Sequence, residues 1–275
     1  MSQSKILDFY PQEKSTYQQI IIETPRSKRQ MLVELYNCDV EYLKTVKKVL
    51  SIHPANHSVA MFLKFMDTAD LCLYCHPLLA KEEAKQYVIN YTQKYNYPLA
   101  IITRMEDIEE LMRKNGVPHQ FRRWCTRMFK IEPTLLFYKT FVPSGVMNYI
   151  GIQKCHSKER SEMNPELSED PKSQKRYKVY REMPLFYETE EFNLEIMKEA
   201  GIEPHYDSAM SSRGYNRYGC FLCPYAGEKY YEHLKESDNE TYCRCENLMH
   251  IASEKQLQEG TRKERYYYYR KSKIM

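Results

Sequence analysis

Short apolar runs alternate along this chain with segments whose apolar residues recur at helical spacing, and that alternation sets the expected fold. The clearest helix is Lys81–Tyr95, where Ala84, Tyr87, Val88 and Tyr91 share one face. Weaker helical patterns cover Arg26–Tyr36, Val40–Lys48, Val59–Met66, Met105–Lys114, Thr134–Thr140 and Glu190–Glu199. Asn56 or Ser58 is placed to cap the helix at Val59, while Gly116 and Gly201 are placed to close two others. Runs of strand length fall at Ile20–Ile22, Val49–His53, Leu71–Cys75, Leu99–Thr103 and Met147–Ile152. Strands separated by single helices predict βαβ units, hence an α/β fold with a parallel sheet.

Polar stretches divide the chain. Ser157–Lys178 is charged throughout and reads as a surface loop or lid, and Thr261–Met275 is a basic run with four consecutive tyrosines. The expected organisation is an N-terminal extension (1–39), an α/β domain (40–180), a Cys-bearing region (181–252) and a basic tail (253–275).

Composition narrows the classes. A chain of 275 residues with 42% hydrophobic and 28% charged residues buries a sizeable core, and a net charge of +4 imposes no global basic field. No apolar run approaches spanning length, so no membrane is expected as a partner. Nine cysteines without a secretory pattern point to a reducing, cytoplasmic setting in which thiols serve as ligands or core residues. The first glycine is Gly116, so the first 115 residues hold no glycine-rich phosphate loop of the usual kind.

The chemistry concentrates in Tyr206–Pro224, which ends G-C-F-L-C-P. Cys220 and Cys223 have the spacing of a metal knuckle, with Cys243 and Cys245 completing an all-sulfur zinc set; the alternative is a pair of buried thiols. Arg122, Arg123, Trp124, Arg127 and Lys130 form a basic, aromatic-containing segment, which together with the tail offers phosphate and base contacts to a nucleic acid.

Four blocks in order resemble the phosphoadenosine phosphosulfate (PAPS) reductase family, including its relatives in DNA phosphorothioation. They are V-L-S-I-H-P-A-N-H-S at Val49–Ser58, R-R-W-C-T-R-M-F-K-I-E-P at Arg122–Pro133, G-I-Q-K-C-H-S-K-E-R at Gly151–Arg160, and the opening of the Cys-x-x-Cys stretch. The resemblance implies a Rossmann-like parallel sheet of the adenine-nucleotide alpha-hydrolase type. It implies a nucleotide-like or sulfur-containing ligand held by Ser58, Arg122, Arg123, Lys130, Ser157, Arg160 and Arg217. It also implies a 4Fe-4S cluster on Cys125, Cys220, Cys223 and Cys243, with Cys245 or Cys155 as alternative fourth ligands and zinc as the alternative metal.

The departures bear on activity. His53–His57 (H-P-A-N-H) stand where the family has S-G-G-x-D, so Pro54 lacks an N–H and Ala55 adds a Cβ where a phosphate oxygen would approach. His53 and His57 read equally well as ordinary loop residues. Gln153 and His156 replace an Arg and a Glu, and no E-C-G segment carries a terminal nucleophilic thiol, so a thioredoxin-dependent reductase is not expected. Two functions follow: a divergent family member handling sulfur or an adenylated or sulfonucleotide ligand, in a setting such as nucleic-acid sulfur modification, or a catalytically decayed module, metal-stabilised, that binds nucleic acid or protein.

Overall fold

The computed structural model describes residues 16–24, 29–118, 122–156, 158–163, 165, 178–205, 220–224, 226 and 228–258. Seven strands form one mixed sheet: β1 (Tyr17–Glu23), β2 (Gln30–Tyr36), β3 (Lys48–Ser51), β4 (Leu71–His76), β5 (Leu99–Arg104), β6 (Val146–Ile150) and β7 (Val179–Glu182). Their spatial order is β1-β2-β5-β4-β3-β6-β7. The five strands from β5 to β7 are parallel, and the β1–β2 hairpin adds antiparallel to the β5 edge. No helix among the described residues is long and apolar enough to cross a membrane.

Period-two alternation splits each central strand between two cores. Val49, Leu71, Leu73, Ala100 and Ile102 face one layer, under α1 (Val40–Thr45) and α6 (Glu132–Phe141), with Phe137, Tyr138 and Phe141 packed on them. Leu50, Cys72, Tyr74, Leu99 and Ile101 face the other, under α2 (Asn56–Phe65), α3 (Glu82–Gln93) and α8 (Glu190–Glu199); the short α7 (Lys158–Ser161) lies between β6 and β7 in the chain. Both faces being covered explains why these strands read as nearly continuous apolar runs. A third cluster joins α4 (Ile108–Asn115) and α5 (Trp124–Thr126) to the C-terminal helices α9 (Glu228–Ser237) and α10 (Asn239–Gln258).

Two local expectations are corrected. Residues 30–36 are strand rather than helix: Met31, Val33 and Leu35 alternate into the core, and the paired backbones of β1 and β5 override a weak helical pattern. Neither Asn56 nor Ser58 caps α2. Its N-cap is Ala55, in extended conformation and with no side-chain cap. Asn56 Nδ2 instead donates to Glu190 Oε1 at 2.5 Å, which ties the start of α2 to α8. Gly116, at φ 74°, closes α4 as expected, with its N–H donating to Met112 O at 2.8 Å.

Candidate functional site

From β3 the chain proceeds outward to β4 and β5 on one side, while β6 and β7 lie on the other. The crevice outside the carboxyl ends of β3 and β6 is therefore the switch point at which open α/β sheets bind ligands. Two segments meet there: Ile52–Ala55, leading from β3 into α2, and Gly151–His156, following β6.

Three imidazoles converge on this crevice. His53 and His57 approach through their Nε2 atoms at 3.0 Å, with ring centroids 4.7 Å apart. His156 lies 4.6 Å from His57, ring to ring, and its Nδ1 is 2.9 Å from Arg160 Nη1. Gly151 makes the approach possible, because a Cβ there would stand 2.8 Å from His57 Cδ2 and 3.6 Å from Ser58 Oγ. Burial lowers the His53 pKa to about 3, helped by the charges of Lys130 and Arg160. Burial, then His53, His156, Arg160 and Lys130, drive His57 well below the usual histidine range. Both rings are neutral at neutral pH.

A buried amide network fixes both walls. Gln153 and Asn193 pair reciprocally at 3.0 Å in each direction, and Asn193 Nδ2 also lies 3.0 Å from Glu190 Oε2. Glu190 in turn holds Asn56, so α8 clamps the β6 loop to the start of α2. Gln153, standing where the family has arginine, is fully buried and serves this clamp rather than a ligand.

Lys130 is exposed on a π turn at Arg127–Ile131, near enough for its charge to be felt by His53, His57 and the Cys75 thiol. A π turn rotates one residue out of α-helical phase, a feature frequent at functional sites. Buried Arg104 supports the turn, with Nη1 donating to Met128 O at 2.9 Å. Arg29, Arg104 and Arg127 converge on Glu132, so Arg127 is already engaged.

Of the expected ligand residues, Ser58 and Arg160 lie at the crevice, and the charge of Lys130 reaches it. Ser58 is buried in the first turn of α2, and its Oγ has no hydrogen-bond partner among the described residues. Arg122 and Arg123 are exposed just before α5. Ser157, Arg217 and the basic run Thr261–Met275 lie outside the described residues, while 253–258 continue α10. Sequence reasoning left His53, His57 and His156 undecided and assigned no role to Asn193 or Glu190. The His-x-x-x-His spacing was the one visible signal, and it gave no hint of His156.

Of the thiols expected as metal ligands, Cys125, Cys220 and Cys245 lie in the third core. Cys125 and Cys220 pack there, and the Cys125 thiol is raised by burial and then by the nearby charge of Cys223. Tyr74, raised chiefly by burial, also feels Cys220 and Cys75. Cys243 is exposed on α10, whereas Cys245, two residues on, is buried with Sγ 3.4 Å from Phe221 O. Cys155 is exposed, with Sγ 3.7 Å from Glu188 O. Among the described residues no three His, Cys, Asp or Glu side chains are grouped to hold a metal ion. The donors as placed fall short of the four thiolates a 4Fe-4S cluster takes.

Fold and crevice together define a doubly wound α/β protein with a cationic, histidine-lined site at its switch point. The chain matches the phosphoadenosine phosphosulfate reductase domain over residues 55–226 and belongs to that family. An uncharacterised protein of Methanocaldococcus jannaschii is 24% identical over 166 residues, which is 58% of this chain and 32% of that protein. The chain thus spans about a third of that relative's length. Among solved structures, the PAPS reductase of Candida auris in its phosphate complex aligns with TM-score 0.45 and 14% identity, covering 66% of this chain and 87% of that one. The U34-tRNA thiolase NcsA of Methanococcus maripaludis with its 4Fe-4S cluster aligns with TM-score 0.44 and 11% identity, covering 78% of each chain.

Proposed function

We propose that this protein is a divergent PAPS reductase-like protein that binds a sulfonucleotide or adenylated ligand by its anionic group at the start of α2. The observation that supports it is the convergence of His53, His57, Lys130, His156 and Arg160, from three separate segments, on the switch point. Arg160 offers a guanidinium fork for oxyanions, Lys130 a point charge, and α2 the positive end of a ten-residue helix. Cys125 and Cys220 pack against the third core, Cys223 is close enough to Cys125 to raise its thiol, and Tyr74 feels Cys220, which supports a separate thiol region.

Calorimetric titration of adenosine 5′-phosphosulfate, ATP and adenosine tests the reading. Binding of the anionic nucleotides but not of adenosine is expected, with a loss of at least about tenfold in Arg160→Met or Lys130→Met, the cost of one charge-assisted hydrogen bond. No heat from any nucleotide at millimolar concentration would sink it. Iron and labile sulfide in anaerobically prepared protein would assign Cys125, Cys220 and Cys223 to a cluster; their absence would leave these residues as packed thiols.

A second reading has its own support in Pro54, which removes a backbone donor, and Ala55, whose Cβ stands where a phosphate oxygen of a triphosphate would approach. On that reading the crevice no longer turns over a nucleotide, and the exposed Arg122 and Arg123 present the fold to a nucleic acid. Tight, salt-sensitive RNA or DNA binding with no response to free nucleotide would favour it.

A further inference from the structure

The His53–His57 pair allows one step more, which rests on the anion-site reading. With Nε2 atoms 3.0 Å apart and rings at 74°, the two imidazoles share one proton: one Nε2–H donates and the other Nε2 accepts through its lone pair. A guanidinium only donates, so the Nδ1 of His156 accepts from Arg160 and that ring is neutral as well. The groups facing the pair are Lys130 from the π turn, and His156 and Arg160 from the segment after β6. Across α2, the Glu190 carboxylate is taken up by Asn56 and Asn193. Ser58, with no exposed surface, presents an unpartnered Oγ beside the Gly151 gap. Pro54 meanwhile lacks the N–H of a glycine loop, and the Ala55 Cβ hinders close approach to the backbone there.

We propose that His53 and His57 are the proton-taking element of a compact oxyanion site, in which a sulfate or phosphate-monoester head at the start of α2 binds together with one proton. The exchange balances without any covalent step. The inter-ring hydrogen bond breaks, one proton from solvent enters the accepting Nε2, and both rings then donate N–H to the anion, with Ser58 Oγ as a further donor. Imidazole donors thereby replace backbone donors. The site takes one oxyanion head, the terminal group of a nucleotide included, rather than cradling a whole triphosphate chain, whose oxygens would need several adjacent backbone N–H groups. With both rings neutral, the resting site carries the Lys130 and Arg160 charges alone, and the further positive charge arrives only with the anion.

Inorganic sulfate is the probe, because it stays a dianion across the neutral and mildly acidic range. Any pH dependence of its binding then belongs to the protein. Calorimetry from about pH 5.5 to about 8.5, in buffers of different ionisation enthalpy, is expected to show uptake of roughly one proton per sulfate. Affinity should fall about tenfold per pH unit toward the alkaline end, as one-proton linkage requires. His57→Gln keeps an N–H donor without a titrating ring and should flatten that dependence, as should His53→Gln. Should either variant fail to fold, the wild-type buffer series decides alone. Sulfate binding without pH dependence or proton uptake would overturn the histidine assignment and leave the anion site standing. Absence of sulfate binding at tens of millimolar and every pH would overturn both.

Discussion

Mild acid is expected to destabilise this protein through three histidines that fold as neutral rings. Burial holds His53 at about 3 and His57 well below the usual range. Burial likewise lowers His76 to about 4, against the opposing pull of Glu82, whose Oε2 is 3.7 Å from His76 Nε2. In the unfolded chain each ring titrates near about 6.5, so between that pH and the folded pKa the unfolded state holds the extra protons. The stabilisation is complete above about pH 6.5 and is lost as the pH falls through the window below it. One unit into that window each ring costs about 1.4 kcal/mol, or about 4 kcal/mol for three. Partial exposure of the His53–His57 rim brings the expected loss between pH 7.5 and 5.5 to about 2–3 kcal/mol. Urea unfolding followed by Trp124, the single tryptophan, measures it as a fall in midpoint with unchanged slope. Asp238 does not confound the window: burial raises it, but the hydrogen bonds from Lys81 and Thr241, with the Lys81 charge, together outweigh burial and hold it at about 2. A midpoint that stays level or rises from pH 7.5 to 5.5 would refute the neutral-histidine assignment.

Three further substitutions test the supports of the site. Gly151→Ala places a Cβ 2.8 Å from His57 Cδ2 and should cost about 1–3 kcal/mol in urea midpoint while weakening sulfate binding; an unchanged midpoint would mean the β6 loop shifts freely. Asn193→Ala strands the buried Gln153 amide and should lose about 1–3 kcal/mol, whereas a loss below about 0.5 would deny the clamp between α8 and β6. Leu50→Ala empties a fully buried position in β3 and should cost about 2–5 kcal/mol by the same assay, with a near-neutral result contradicting its central place.

Much of the scaffold was legible because it depends on local pattern. Ala84, Val88 and Tyr91 repeat at helical spacing, and they are buried on one face of α3. The apolar runs at β4 and β5 read as buried strands because both of their faces are covered. Residues 30–36 misled, since their short pattern satisfied a helix weakly and only pairing with two neighbouring strands decided for β. The π turn at Arg127–Ile131 left no mark in periodicity, because one residue of phase shift within a short helix is invisible to a spacing rule. Gln153 looked like a failed ligand, and packing against Asn193 shows it to be a buried strut.

By itself the sequence determined the α/β class, the main helices and central strands, the missing glycine loop before α2 and the family to which its four blocks belong. Each of these is a property of neighbouring residues, set by side-chain periodicity or by what a backbone can do without glycine. Only the tertiary structure decided which residues form the site. His57 and His156 lie 99 positions apart in number and 4.6 Å apart in space, because the order β4-β3-β6 brings two distant strand ends side by side. On α10, likewise, Cys243 is exposed while Cys245 turns toward Phe221, since residues two apart on a helix point to different sides, and only the docking of that helix decides which one is buried. Chemistry of this kind depends on which segments the sheet makes neighbours, and strand order is written in the packing of the whole chain rather than in any one stretch of it.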